Sequence, residues 1–82
     1  MASVNLDTVV IAILAYLDHV VPCPCPLTLY INDERHIADT QIQELKGLEK
    51  ELGCSMDFVG NTIYIMKNGV TMHPYRTIFV TI

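Results

Sequence analysis

The side chains best suited to chemistry cluster in "VVPCPCPL", residues 20–27, where Cys23 and Cys25, two of the three cysteines, alternate with three prolines. A structural zinc ion takes about four thiolate or imidazole ligands, usually as two pairs spaced C-x-x-C. Here the spacing is C-x-C, and the prolines push the backbone toward polyproline geometry. At three residues per turn, positions i and i+2 diverge by about 240°, which is poor geometry for gripping one ion. A Cys23–Cys25 disulfide would be strained. Cys54 stands alone in its segment, and His19, His36 and His73 are isolated from one another. Cys23, Cys25 and Cys54 are therefore weak metal-ligand candidates, and no metal or cofactor is expected. The plainer reading makes the prolines a stiff joint and the cysteines small hydrophobes. The redox or metal reading revives if Cys54 packs beside Cys23 or Cys25.

The two Cys-Pro dipeptides resemble haem-regulatory motifs, over four residues of the 82. That resemblance implies the principal alternative function, a metal- or haem-binding protein that works through Cys23, Cys25 and Cys54.

A second concentration is "DERHIAD", residues 33–39, which gathers Asp33, Glu34, Arg35, His36 and Asp39. Such a set could serve acid–base chemistry or hold a metal, making a small enzyme the second alternative; more commonly a charged loop leading into a helix is simply solvated. His19 follows Asp18, but adjacent residues on a helix do not face each other. The sequence contains no G-x-S-x-G, phosphate loop, H-E-x-x-H or dinucleotide fingerprint. A domain this thin also has little volume for a substrate pocket. A non-enzymatic role is expected.

Eighty-two residues make one domain, residues 1–82, with a thin core. Yet 51% of the residues are hydrophobic, more than such a core can hide, so some should form an interaction surface. The longest apolar run, Val9 to Leu17, is about half of what a membrane-spanning helix needs. The start "MASVNLD" lacks a basic region, and an odd cysteine count argues against a disulfide framework. A cytoplasmic protein with reduced thiols is expected. Five scattered bases against nine acids form no basic stripe, so neither nucleic acid nor membrane is an expected partner.

Residues 5–21 read as a helix capped by Asn5 or Ser3, with Asp7 in its first turn. At 100° per residue, Leu6, Val9, Val10, Ile13, Leu14, Leu17, Val20 and Val21 make a stripe facing the core. Ile11, Ala12, Ala15 and Tyr16 lie on the remaining arc, which suits close approach by a second helix. "LTLYI" (27–31) reads as a strand. A second helix is predicted from Asp39 to Leu52, with Thr40 and Gln43 at capping-box spacing, an Ile42–Leu45–Leu48–Leu52 stripe and a Gly53 stop. The period then shifts to 2 in "SMDFV" (55–59), "TIYIMK" (62–67), "VTM" (70–72) and "RTIFVTI" (76–82). Gly60-Asn61 and Asn68-Gly69 are turn signals, the second suited to a type I′ hairpin.

The order α-β-α-β-β-β predicts an α+β two-layer sandwich: two helices on one face of a mainly antiparallel sheet of four or five strands, with one potential βαβ crossover. The opposite face should carry Thr28, Tyr30, Thr62, Tyr64, Thr77, Phe79 and Thr81 and be half solvated. Tyr30, Tyr64, Tyr75 and Arg76 join Ile11, Ala12, Ala15 and Tyr16 as candidate partner contacts, being residue types enriched at interface hot spots. The expected function is binding of a protein partner, as a homodimer or as an inhibitor or adaptor. Chains of this size without catalytic motifs are common among virus- and phage-encoded modulators of host machinery.

Overall fold

The computed structural model describes residues 2–19, 25–32, 35–73 and 76–82. Cys23 and its flanking prolines, Asp33, Glu34 and Tyr75 lie outside the described residues, as do Val20 and Val21. Among those described, the elements run β1 (Ala2–Ser3), α1 (Leu6–His19), β2 (Leu27–Tyr30), β3 (Arg35–His36), α2 (Asp39–Gly47), α3 (Glu49–Leu52), β4 (Cys54–Val59), β5 (Thr62–Lys67) and β6 (Ile78–Thr81). The fold is a small α+β domain built on a four-stranded mixed sheet of order β4-β5-β2-β6. A two-residue parallel pair, β1 with β3, stands apart from it.

Helix α1 starts as its cap predicts: the Asn5 Oδ1 accepts the Asp7 backbone N–H at 2.9 Å, satisfying an N–H that has no partner inside the helix. Its buried stripe is rotated from the expected one. Val9, Ile13 and Tyr16 are the buried positions, spaced four and three residues apart, and Leu14 is exposed. The rotation follows from residue size. Tyr16 offers the largest apolar body on the helix, and seating it inside turns Leu14 outward.

The second predicted helix is divided. α2 ends at Gly47, Leu48 intervenes, and α3 runs to Gly53, which takes the left-handed conformation at φ +71°. The capping interaction sits two residues earlier than the Thr40/Gln43 spacing suggests. The Ala38 N–H donates to Gln41 Oε1 at 3.1 Å, while Gln41 Nε2 donates to the Val4 carbonyl at 2.6 Å. One amide thus caps α2 and ties it to the segment leading into α1. Of the expected stripe, Leu45 is fully buried and Ile42, Leu48 and Leu52 are partly so.

β4 and β5 form a hairpin closed by Gly60-Asn61, with Val59 opposite Thr62. Gly60 has φ +59° and no described non-glycine residue has positive φ, the pattern of a type II′ turn. The same fact overturns the type I′ expectation at Asn68-Gly69, because Asn68 does not take the positive φ that turn requires. Asn68 instead bonds back across the hairpin: its N–H donates to the Gly53 carbonyl at 2.9 Å, and its Oδ1 accepts from Ser55 Oγ at 2.7 Å. Residues 70–72 accordingly form no strand.

The last strand also departs from an antiparallel meander. β6 passes β5 and pairs parallel with β2 on the far side, Leu27 opposite Ile78 and Tyr30 opposite Thr81. β2 and β4 both run antiparallel to β5, so they are parallel to each other, and the βαβ crossover exists in split form with β5 inserted between its strands. Alternation along the strands sends Leu27, Leu29, Ile31, Ile63, Ile65, Cys54 and Met56 into one core with Val4, Val9, Ile13, Tyr16 and Leu45. The helices thus contribute to a single inner layer, as the sandwich requires.

Replacing Leu29, fully buried on this inner face, with alanine should lower the unfolding free energy by about 2–5 kcal/mol in urea titrations. Tyr64→Ala on the opposite face should cost under about 1 kcal/mol. Equal losses from the two would overturn the assignment of faces.

Candidate functional site

The outer face of the sheet follows from register alone. Asp57, Tyr64, Thr28 and Phe79 lie in one row across the four strands, and Val59, Thr62, Tyr30 and Thr81 in the next. Six of the seven residues expected on this face thus share it, Thr77 joins them through its contact with Thr28, and Asp57, Val59 and Met66 lie there in addition. Phe79 is 61% exposed and Tyr64 45%, and Met66 and Val59 are exposed as well. Tyr30 is half-buried and stacks on Phe79, with ring centroids 6.5 Å apart and planes at 20°. The stack spans β2 and β6 diagonally, fixing one aromatic ring against the other. At the margin, Thr77 Oγ1 lies 2.9 Å from Thr28 Oγ1 and donates to the Pro26 carbonyl at 2.9 Å, holding the start of β6 against β2. The result is a flat, uncharged aromatic and threonine surface with Asp57 at one side. Arg76, exposed, precedes it.

The outer arc of α1 is a second apolar surface on the other layer. Ile11 is 66% exposed, and Leu14 and Ala15 accompany it at helical spacing. Two of the expected contacts leave this arc. Tyr16 is only 3% exposed and belongs to the core, so it has no surface to offer a partner. Ala12 is partly buried against the core. Leu14, assigned to the core stripe by periodicity, is the residue that replaces them. Met66 and Val59 are exposed here without having been named among the expected outward residues; the period-2 pattern of their strands is the signal that places them outward.

The cysteines converge more than their spacing suggests. Cys25 and Cys54 are both buried thiols. Both lie near enough to the Tyr16 hydroxyl that a thiolate at either position would oppose its ionisation. Burial is the main cause that raises the Tyr16 pKa above its ordinary value; the adjacent Lys67 backbone pulls the other way, and the two thiols add to the rise. The hydroxyl approaches Lys67 without hydrogen-bond geometry and is left without a partner. Cys54 is likewise held above the ordinary thiol value, first by burial and then by the nearby Glu49 carboxylate. Both effects keep the thiol protonated, whereas metal binding and nucleophilic attack use the thiolate.

β5 separates the two thiols: Cys54 sits opposite Lys67, and Cys25 precedes the strand on the other side of β5. Two strand spacings place their Cα atoms roughly 9–10 Å apart, beyond the span of about 7 Å for a disulfide. Among the described residues no group of three or more His, Cys, Asp or Glu could hold a metal. The acidic loop is no more convergent. His36 joins the β1–β3 pair and Asp39 opens α2, both exposed, and no pocket occurs among the described residues. No described helix is long and apolar enough to cross a membrane. Searches of protein-family models, curated proteins and solved structures find no match to this chain.

Tyr16 and Cys54 both carry raised pKa values, so the folded state holds their protons more tightly than the unfolded chain does. Stability is then level at neutral pH and falls as pH rises through the ordinary thiol and phenol range, about 8.5 to 10. Urea midpoints measured from pH 7 to alkaline values should show this decline. Tyr16→Phe should reduce the alkaline loss and, by removing an unsatisfied buried hydroxyl, raise stability at neutral pH by up to about 1 kcal/mol. A destabilised Tyr16→Phe would show that the hydroxyl has a partner in solution.

Proposed function

We propose that this chain is a small non-enzymatic protein-binding module, an inhibitor or adaptor that engages a partner through the outer face of its sheet. The observation that carries the reading is the uncovered set of Tyr64 and Met66 on β5 and Phe79 on β6, with Thr28 of β2 between Tyr64 and Phe79, held on the buried inner layer. Burying aromatic and methionine side chains of this kind is the chief source of affinity at protein interfaces. The inner layer supplies rigidity, and the Tyr30–Phe79 stack orders part of the surface before contact, so less entropy is lost on binding. A modulator directed at host machinery, encoded by a virus or phage and working in the host cytoplasm, is the setting such a module fits.

The test is quantitative affinity capture with wild type beside Tyr64→Ser/Met66→Ser, both substitutions at exposed positions that leave the core intact. Partners retained by wild type and lost from the double variant support the reading. Identical capture by both proteins overturns it. Capture abolished only by Ile11→Asp would move the contact to α1.

A further inference from the structure

The two margins of the sheet are finished differently. On β4 the Met56 N–H donates to Glu49 Oε2 at 2.7 Å rather than to β5. The backbone that β4 turns outward is therefore met by a carboxylate from α3. Lys46 lies over the Phe58 ring at 5.9 Å, adding a charge beside the same margin. Charged side chains of this kind blunt an edge strand against pairing with another chain.

Among the described residues β6 carries no such device. Ile78 N–H donates to the Pro26 carbonyl at 2.7 Å and Ile82 N–H to the Tyr30 carbonyl at 2.9 Å, while the Ile82 carbonyl accepts from Asn32 N–H at 2.8 Å. The two-residue period thus directs the backbone of Ile78, Val80 and Ile82 at β2 and that of Phe79 and Thr81 away from the sheet. Both outward residues are exposed. From Thr77 to Ile82 there is no charged side chain and no proline.

We propose that two copies of this chain pair through β6, antiparallel, about a two-fold axis at Val80, joining their sheets into one of eight strands. The inference goes beyond the docking role of the outer face and assigns a separate contact to the edge of the same sheet. A second copy fits the edge on three counts. Phe79 and Thr81, two residues apart, each present an outward N–H and C=O, so Phe79 of one copy and Thr81 of the other exchange both bonds, twice over. The outer face then sets Phe79 beside a β-branched threonine, a favourable cross-strand pair. On the inner face Ile78, Val80 and Ile82 are only partly buried, and the axis brings the same three residues of the copy alongside them. The uncharged strand also keeps the net charge of −4 of each chain away from the contact.

Light scattering over a dilution series should give twice the 9.2 kDa chain mass at high concentration. Thr81→Pro removes an outward N–H and leaves the bonds to β2 in place. It should weaken the dimer roughly 10- to 100-fold, as loss of two hydrogen bonds of about 1 kcal/mol each implies. Thr81→Lys, which keeps every backbone donor and adds an edge charge, should weaken it too and covers the event that the proline variant misfolds, as read by circular dichroism. Val80→Cys should cross-link under mild oxidation where wild type does not, since paired residues at the axis fall within disulfide reach. A protein monomeric throughout overturns the proposal, as does a dimer unaffected by both Thr81 variants. A monomer whose partner capture is still lost in Tyr64→Ser/Met66→Ser overturns the pairing alone and leaves the docking face standing.

Discussion

The double engagement of β2 is the constraint on which the rest of the molecule depends. Leu27, Leu29 and Ile31 are fully buried, and the strand that carries them is hydrogen-bonded on both sides, antiparallel to β5 and parallel to β6. A strand in that position cannot shift by one residue without turning its leucines to water and its threonine and tyrosine into the core. Its register therefore fixes the register of both neighbours, and through β5 that of β4. The inner face so defined gives Val9, Ile13 and Tyr16 of α1 and Leu45 of α2 a single surface to cover.

The same constraint determines the character of the outer face. Once the helices commit to one side, the alternate residues of four strands must be solvated or covered by something else. Here they are mostly aromatic, methionine and threonine, with the charge of Asp57 confined to the β4 margin. The chain thus carries more apolar surface than its own core absorbs, and the surplus collects on one flat face and on the outer arc of α1. The cysteines fall on the other side of this division. Cys54 and Cys25 are buried near Tyr16, and at Cys54 burial favours the thiol over the thiolate.

Much of this was legible in the sequence because strand periodicity is a strong and local signal. The alternation in residues 27–31 and 62–67 placed Thr28, Tyr30, Thr62 and Tyr64 on one face without knowledge of strand order, and Asn5 and Gly53 marked helix boundaries through capping chemistry. Topology was less legible. Nothing local tells β6 to bypass β5 and join β2, since that choice is made by the competition between edges. On α1 an almost continuous apolar run left the helix phase open, and the size of Tyr16, not the count of aliphatic residues, settled which side turns in. The Asn68-Gly69 signal failed for a related reason: Asn68 finds hydrogen bonds to Gly53 and Ser55 that a tight hairpin would break.

The placement of β6 carries a consequence for the order of assembly. β4, β5 and the helices between β2 and β4 are contiguous in sequence, so three strands of the sheet can come together from neighbouring segments. The fourth strand closes a loop of about fifty residues, with Ile78 returning to Pro26, and its pairing is parallel. Such closures are slow compared with hairpin formation. During synthesis β6 leaves the ribosome after the other three strands of its sheet, so this margin of β2 stays bare until residues 78–81 emerge. That interval, rather than any weakness of the completed core, is where this domain is most exposed to pairing with the wrong strand.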